Sequence, residues 1–106
     1  MVKRGEVWLC QLDPTRGREI RKTRPCMIVS PAEIHDFLDI VIVVPMTTGS
    51  RPAQFRVPVK LAGRSGLVLL EQIRAIDKSR LARRLGSVDS RTLGAGLAVL
   101  REMFAE

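Results

Sequence analysis

The chain has 106 residues, 45% apolar and 27% charged, which suits one compact domain spanning 1–106 and excludes an integral membrane protein. Eighteen basic against eleven acidic residues leave a formal charge of +7, which favours a polyanionic partner, nucleic acid ahead of a membrane surface. The aromatics Trp8, Phe37, Phe55 and Phe104 are too few for a base-stacking platform, so contacts to nucleic acid should rest on charge and hydrogen bonds.

The opening MVKRGEVW carries no apolar signal segment and no small-residue cleavage site, so a cytoplasmic location is expected. From Glu6 to Asp13 the residues alternate, with Trp8, Cys10 and Leu12 on one face, which predicts a strand. Trp8 is read as core rather than as a ligand contact. Cys10 and Cys26 are too few for a zinc cluster and are expected to be buried as small hydrophobes.

Asp13-Pro14-Thr15-Arg16-Gly17 is turn chemistry. From there to Arg24 runs a charged loop holding Arg16, Arg18, Arg21, Lys22 and Arg24 against the lone acid Glu19. A loop anchored on a rigid strand is where binding and chemistry tend to sit. Pro25 is expected to let a strand begin after it but not before. Cys26-Met27-Ile28-Val29 reads as a central strand buried on both faces.

Ser30, Pro31 and Glu33 suggest a helix start with Ser30 as cap and Pro31 in the first position, lasting one or two turns through Phe37. Asp39 to Val44 is the next strand, closed by Pro45, and Met46 to Pro52 is a polar connection. Gln54 to Val59 alternates again, Leu61 to Gly66 reads as a turn, and Leu67 to Ile76 holds an apolar run interrupted by Glu71-Gln72. A short strand over Leu81–Val88 carries Arg83 and Arg84. Leu93, Leu97, Leu100 and Phe104 then mark one face of an amphipathic helix capped by Asp89 or Ser90. Gly94 and Gly96 weaken that helix or allow close packing. Such short strands with one terminal helix point to a small, strongly bent antiparallel sheet or partly open barrel.

The order of these segments resembles the MazF/PemK (Kid) family of toxins from bacterial toxin–antitoxin pairs. The matching stretches are Arg4 to Gly17, Glu19, Thr23 to Pro31, Val43 to Thr48 and Leu69 to Asp77. The resemblance implies a mainly β fold with short helices, an SH3-like, partly open barrel of the CcdB/PemK/MazF type with a C-terminal α-helix. It implies a homodimeric, metal- and cofactor-independent endoribonuclease that cuts single-stranded RNA at short sequences. It also implies a cognate antitoxin whose acidic, flexible tail covers the RNA site, to which a basic toxin is the electrostatic counterpart.

RNA cleavage by the 2′-hydroxyl needs a proton acceptor, an acid for the departing 5′-oxygen and positive charge for the phosphate between them. With His35 the sole histidine, a two-histidine mechanism is excluded. By resemblance, the catalytic candidates are Arg24, Thr47 and Glu19. Arg24 is suited to stabilising phosphate charge and, being permanently protonated, unsuited to proton removal. Proton removal therefore falls to Glu19, with Thr47 bonding the phosphate or the 2′-hydroxyl. The plainer alternatives are a loop salt bridge for Glu19 and a turn hydrogen bond for Thr47. Arg16, Arg18, Arg21 and Lys22 are candidates for RNA backbone contacts and Gln54, Phe55 and Gln72 for base contacts, although Phe55 also suits the core, and Thr48 completes the RNA-binding set.

Ile20, Arg21 and Lys22 stand where family members often have a glutamine and a small residue. Leu69 and Glu71 stand where the Kid branch has an arginine and an aspartate implicated in cleavage, which places the chain nearer the MazF branch. One rival reading is a non-catalytic toxin on the same barrel that binds a protein such as gyrase, although the ending Met103-Phe104-Ala105-Glu106 lacks the Trp-Gly-Ile tail of the CcdB type. The other is a small RNA-binding barrel without activity.

Overall fold

The computed structural model describes residues 1–13, 17 and 22–106. Strand β1 (Glu6–Gln11) lies between β2 (Thr23–Ile28) and β7 (Leu81–Ser87), antiparallel to both. On its other edge β2 pairs with β3 (Ile40–Thr47). The far edge of β3 is shared, first by β6 (Arg74–Asp77) and then by β5 (Arg64–Leu69). β5 forms a hairpin with β4 (Arg56–Leu61), giving the order β4-β5-β3-β2-β1-β7 with β6 beside β3. A one-turn helix α1 (Ala32–His35) joins β2 to β3, and α2 (Ser90–Met103) follows β7. The result is mainly β, a curled, partly open barrel with a C-terminal helix, as expected.

Alternation along the strands sorts the apolar residues onto two faces. Val7, Met27, Val29, Val44, Val68 and Leu70 form the main core, on which Leu93, Leu97 and Leu100 of α2 rest. Cys10, Leu12, Cys26, Ile28, Val41, Val43 and Ile76 form a second core on the opposite face, with half-buried Trp8 against it. β2 is thus buried on both faces, and both cysteines are free and fully buried.

Two prolines expected to bound strands lie inside them. The Ile28 carbonyl accepts from Gly5 N (2.8 Å), so even-numbered β2 residues face β1 and the Pro25 nitrogen faces the β3 side. There the ladder begins only at Cys26, opposite Pro45, so β2 starts at Thr23 and no bond is lost at Pro25. Val29 N donates to the Ile42 carbonyl (3.0 Å), so by the same alternation the Pro45 nitrogen faces away from β2. It falls between the last β6 pair, Val43 with Arg74, and the first β5 pair, Met46 with Val68. β3 therefore runs through Pro45 to Thr47, and the polar connection begins later than expected.

Other boundaries move for local reasons. Pro31, not Ser30, occupies the cap position of α1, which has no side-chain cap. The Ser30 hydroxyl instead accepts from Ile42 N (3.2 Å) and lies 2.9 Å from His35 Nδ1, both inside the fold. Between β4 and β5 the turn is only Ala62-Gly63, both at positive φ (51° and 79°), so Arg64 to Gly66 are strand. Gln54 and Phe55 form a turn ahead of β4 rather than its start. Asp89 caps α2 by accepting from Thr92 N (2.7 Å), as expected. Phe104 is the exception on that helix. It sits past the last helical residue with φ −103° and ψ 5°, which turns it off the apolar face and leaves it 72% exposed.

Candidate active site

The β2–β3 ladder ends with Cys26 opposite Pro45, and Arg24 and Thr47 stand two residues beyond it on the two neighbouring strands. Strand pairing thus brings together two residues that are remote in sequence. Both line a cleft of about 350 Å³ at the end of β2 and β3, with Pro25, Thr48, Arg64 and Ser65 around them.

Arg24 is exposed at the mouth, and its strand is held on the other side by Cys10 of β1, its direct cross-strand partner. The Arg24 carbonyl accepts from the Cys26 thiol (3.6 Å). The hydrogen bond with Cys10, with burial behind it, pushes the Cys26 thiol well above its ordinary value, so it is a neutral packing group. The Thr47 hydroxyl oxygen accepts from Gly49 N (3.3 Å), which is the turn bond foreseen as its plainer role. That bond uses a lone pair and leaves the hydroxyl hydrogen able to donate into the cleft.

The base of the basic segment is gripped from two sides. Leu12 N donates to the Lys22 carbonyl (2.9 Å), and Lys22 takes a left-handed φ of 67°. Arg80 Nη1 donates to the carbonyls of Gln11 (3.1 Å) and Asp13 (2.5 Å), fixing the chain as it leaves β1. Arg16, Arg18, Glu19 and Arg21 lie outside the described residues.

The proposed base contacts are dispersed. Exposed Gln54 and half-buried Phe55 do not line the cleft. Gln72 is half-buried in the 3₁₀ turn Leu70–Gln72, its side-chain oxygen accepting from Arg74 Nη2 (2.8 Å) and its carbonyl from Arg74 Nε (3.2 Å). Glu71 in the same turn binds Arg56 through one oxygen, Oε2, which takes Nε at 3.0 Å and Nη2 at 2.6 Å. Arg56 Nη1 also holds the Arg51 carbonyl (2.9 Å), tying the β3–β4 connection to that turn.

Arg64 and Ser65 are additions that sequence reasoning missed. It assigned them to a turn, and the signal that could have found them is the Ala62-Gly63 pair between two alternating runs.

Over residues 3–104 the sequence matches the family described as PemK-like, MazF-like toxin of type II toxin–antitoxin system. Endoribonuclease PemK of Escherichia coli is 42% identical over 93 residues, covering 82% of this chain and 70% of that protein. Endoribonuclease MazF of Staphylococcus epidermidis is 33% identical over 91 residues, covering 80% and 76%. The expected closer tie to the MazF branch is therefore not carried by these identities, since PemK shares more. Among solved structures, MazF of Deinococcus radiodurans (crystal form I) superposes with a TM-score of 0.88 at 24% identity, covering 99% and 97% of the two chains. A MazE–MazF structure from the same organism (form I) gives 0.76 at 26% identity with the same coverage.

Proposed function

This chain belongs to the PemK-like, MazF-like toxins of type II toxin–antitoxin systems, and from that we propose that it is an endoribonuclease cutting single-stranded RNA without a metal ion. The observation that carries the reading is that Arg24 and Thr47, at the ends of the neighbouring strands β2 and β3, line one cleft.

The 2′-oxygen attacks the adjacent phosphorus as its proton passes to Glu19. The bond to the 5′-oxygen breaks, and that oxygen takes up a proton from water, assisted by Arg24, as it leaves. The products are a 2′,3′-cyclic phosphate and a 5′-hydroxyl. Arg24 lies where negative charge accumulates on the phosphate oxygens, and its fixed planar charge favours the crowded intermediate over the starting diester. Thr47 donates its hydroxyl hydrogen to the phosphate or orients the 2′-hydroxyl.

The protein acts as a homodimer in the cytoplasm. Its partner is a cognate antitoxin with an acidic, flexible tail, in keeping with the MazE seen on the Deinococcus protein. A formal charge of +7 supports both RNA and an acidic tail as ligands. Among the described residues no helix is long and apolar enough to cross a membrane.

The test is incubation of purified protein with a long single-stranded RNA in EDTA, with mapping of the ends. Discrete cuts bearing 2′,3′-cyclic phosphate or 3′-phosphate and 5′-hydroxyl ends are expected. Arg24→Ala should reduce the rate on the order of 10²- to 10³-fold. Thr47→Ala should reduce it about tenfold, as expected for loss of one hydrogen bond to the reacting group. No cleavage by folded, antitoxin-free protein would refute the enzyme reading and favour a toxin that binds a protein target.

A further inference from the structure

We propose that Gly66 is a positioning residue for Thr47, holding the end of β3 in the place where Thr47 can reach a substrate phosphate. The proposal rests on the endoribonuclease reading for its effect on rate and on geometry for the positioning itself. A Cβ built on Gly66 would stand 2.7 Å from the Thr47 carbonyl oxygen and 3.3 Å from its carbonyl carbon. Even a weak C–H···O contact keeps carbon and oxygen roughly 3.3 Å or more apart. The nearest obstacle is backbone, which cannot swing aside as the end of a long side chain can.

Gly66 cannot retreat without cost, because it is also paired with Val59 on β4 in a register that runs unbroken from Arg56–Leu69 to Leu61–Arg64. β3 touches β5 through only two pairs, Met46 with Val68 and Thr47 with Leu67. The weaker attachment yields, so a methyl group at Gly66 pushes the Thr47 peptide away. Its φ lies outside the left-handed range, so alanine fits the local backbone and the cost falls on the contact. Thr47, Thr48 and Gly66 all line the cleft, so the displacement arises inside the site. Misplacement of a reacting group by around 1 Å can cost on the order of 10²-fold.

The experiment compares Gly66→Ala, Thr47→Ala and the double variant, with Gly96→Ala as a packing control on α2 that crowds the Met27 methyl at 3.2 Å. Gly66→Ala should lower kcat up to about tenfold, the loss expected for Thr47→Ala itself, with KM changed less than about threefold. In the Thr47→Ala background the same substitution should cost less than about threefold, because its effect passes through Thr47. A second readout needs no activity. In amide NMR spectra, Gly66→Ala should shift the Thr48 and Gly49 resonances, the latter because its N–H is bonded to the Thr47 hydroxyl. Gly96→Ala should leave both in place.

Full additivity with Thr47→Ala, unmoved Thr48 and Gly49 amides, or an unfolded Gly66→Ala would each overturn the proposal. A wild-type protein that cuts no RNA would refute the functional reading, and the amide shifts would still decide whether Gly66 positions Thr47.

Discussion

Glu6 is buried and takes hydrogen bonds from the Lys3 amide (2.9 Å), Trp8 Nε1 (3.0 Å) and Arg84 Nε (2.9 Å). Burial pushes its carboxyl up, but the bonds from Trp8, Lys3 and Arg84 together hold it below the usual carboxylate range. A depressed value in the fold means stability that is present above the unfolded glutamate value and lost as pH falls through the folded one. Acid titration of thermal stability should therefore show a limb from Glu6 that is absent in Glu6→Gln, which should also lose about 1 kcal/mol at neutral pH. Trp8, the sole tryptophan, should report the same event by fluorescence, since its indole donates to that carboxylate. Arg24 and Thr47 were legible in the sequence because each sits in a family motif. Their meeting in one cleft was not, since it depends on β2 and β3 lying side by side. Ser30 was misread as a cap because its neighbours fit a helix start, while its actual partners, Ile42 and His35, are set by the folded chain.

Helix α2 carries two glycines with opposite meanings. Gly94 is exposed and has nothing within 4 Å of a built Cβ, whereas Gly96 is buried and would meet the Met27 methyl at 3.2 Å and Leu70 at 3.8 Å. Gly94→Ala should raise stability by about 0.5–1 kcal/mol in chemical denaturation, from helix propensity. Gly96→Ala should lower it, because the same gain is opposed by crowding in the core. β1 and α2 were legible from period and the two-sided burial of β2 from its unbroken apolar run, whereas the start of β5 was read as a turn and β6 was not separated from it. The proline positions were not. A proline's effect depends on which edge of the strand its nitrogen faces, and Pro25 and Pro45 both face a place where the ladder is open. The two-residue hairpin turn was obscured because Ala62 adopts a positive φ that alanine seldom takes.

For the molecule as a whole, and on the endoribonuclease reading, the charge of +7 should govern how tightly RNA binds more than where it is cut. If three phosphates are neutralised by Arg24 and its basic neighbours, log affinity should fall against log salt with a slope of about −2. Arg24→Ala should make that slope shallower by about 0.7, whereas Gly66→Ala should leave it unchanged, and a filter-binding series across salt concentrations separates them. Topology has a further effect, on the order in which the molecule can be made. The strands and hairpin that build the cleft lie between Thr23 and Leu69, but the outer edge of β1 is covered by β7, with Glu6 opposite Ser87 and bonded to Arg84 across 78 positions. Pairings this distant close late. A nascent chain on the ribosome can hold the cleft residues long before it can complete the barrel, and the helix over the main core is synthesised later still. Chains ending before Leu81 should be protease-sensitive and, on the endoribonuclease reading, inactive on RNA, so the activity would be withheld until the polypeptide is almost finished.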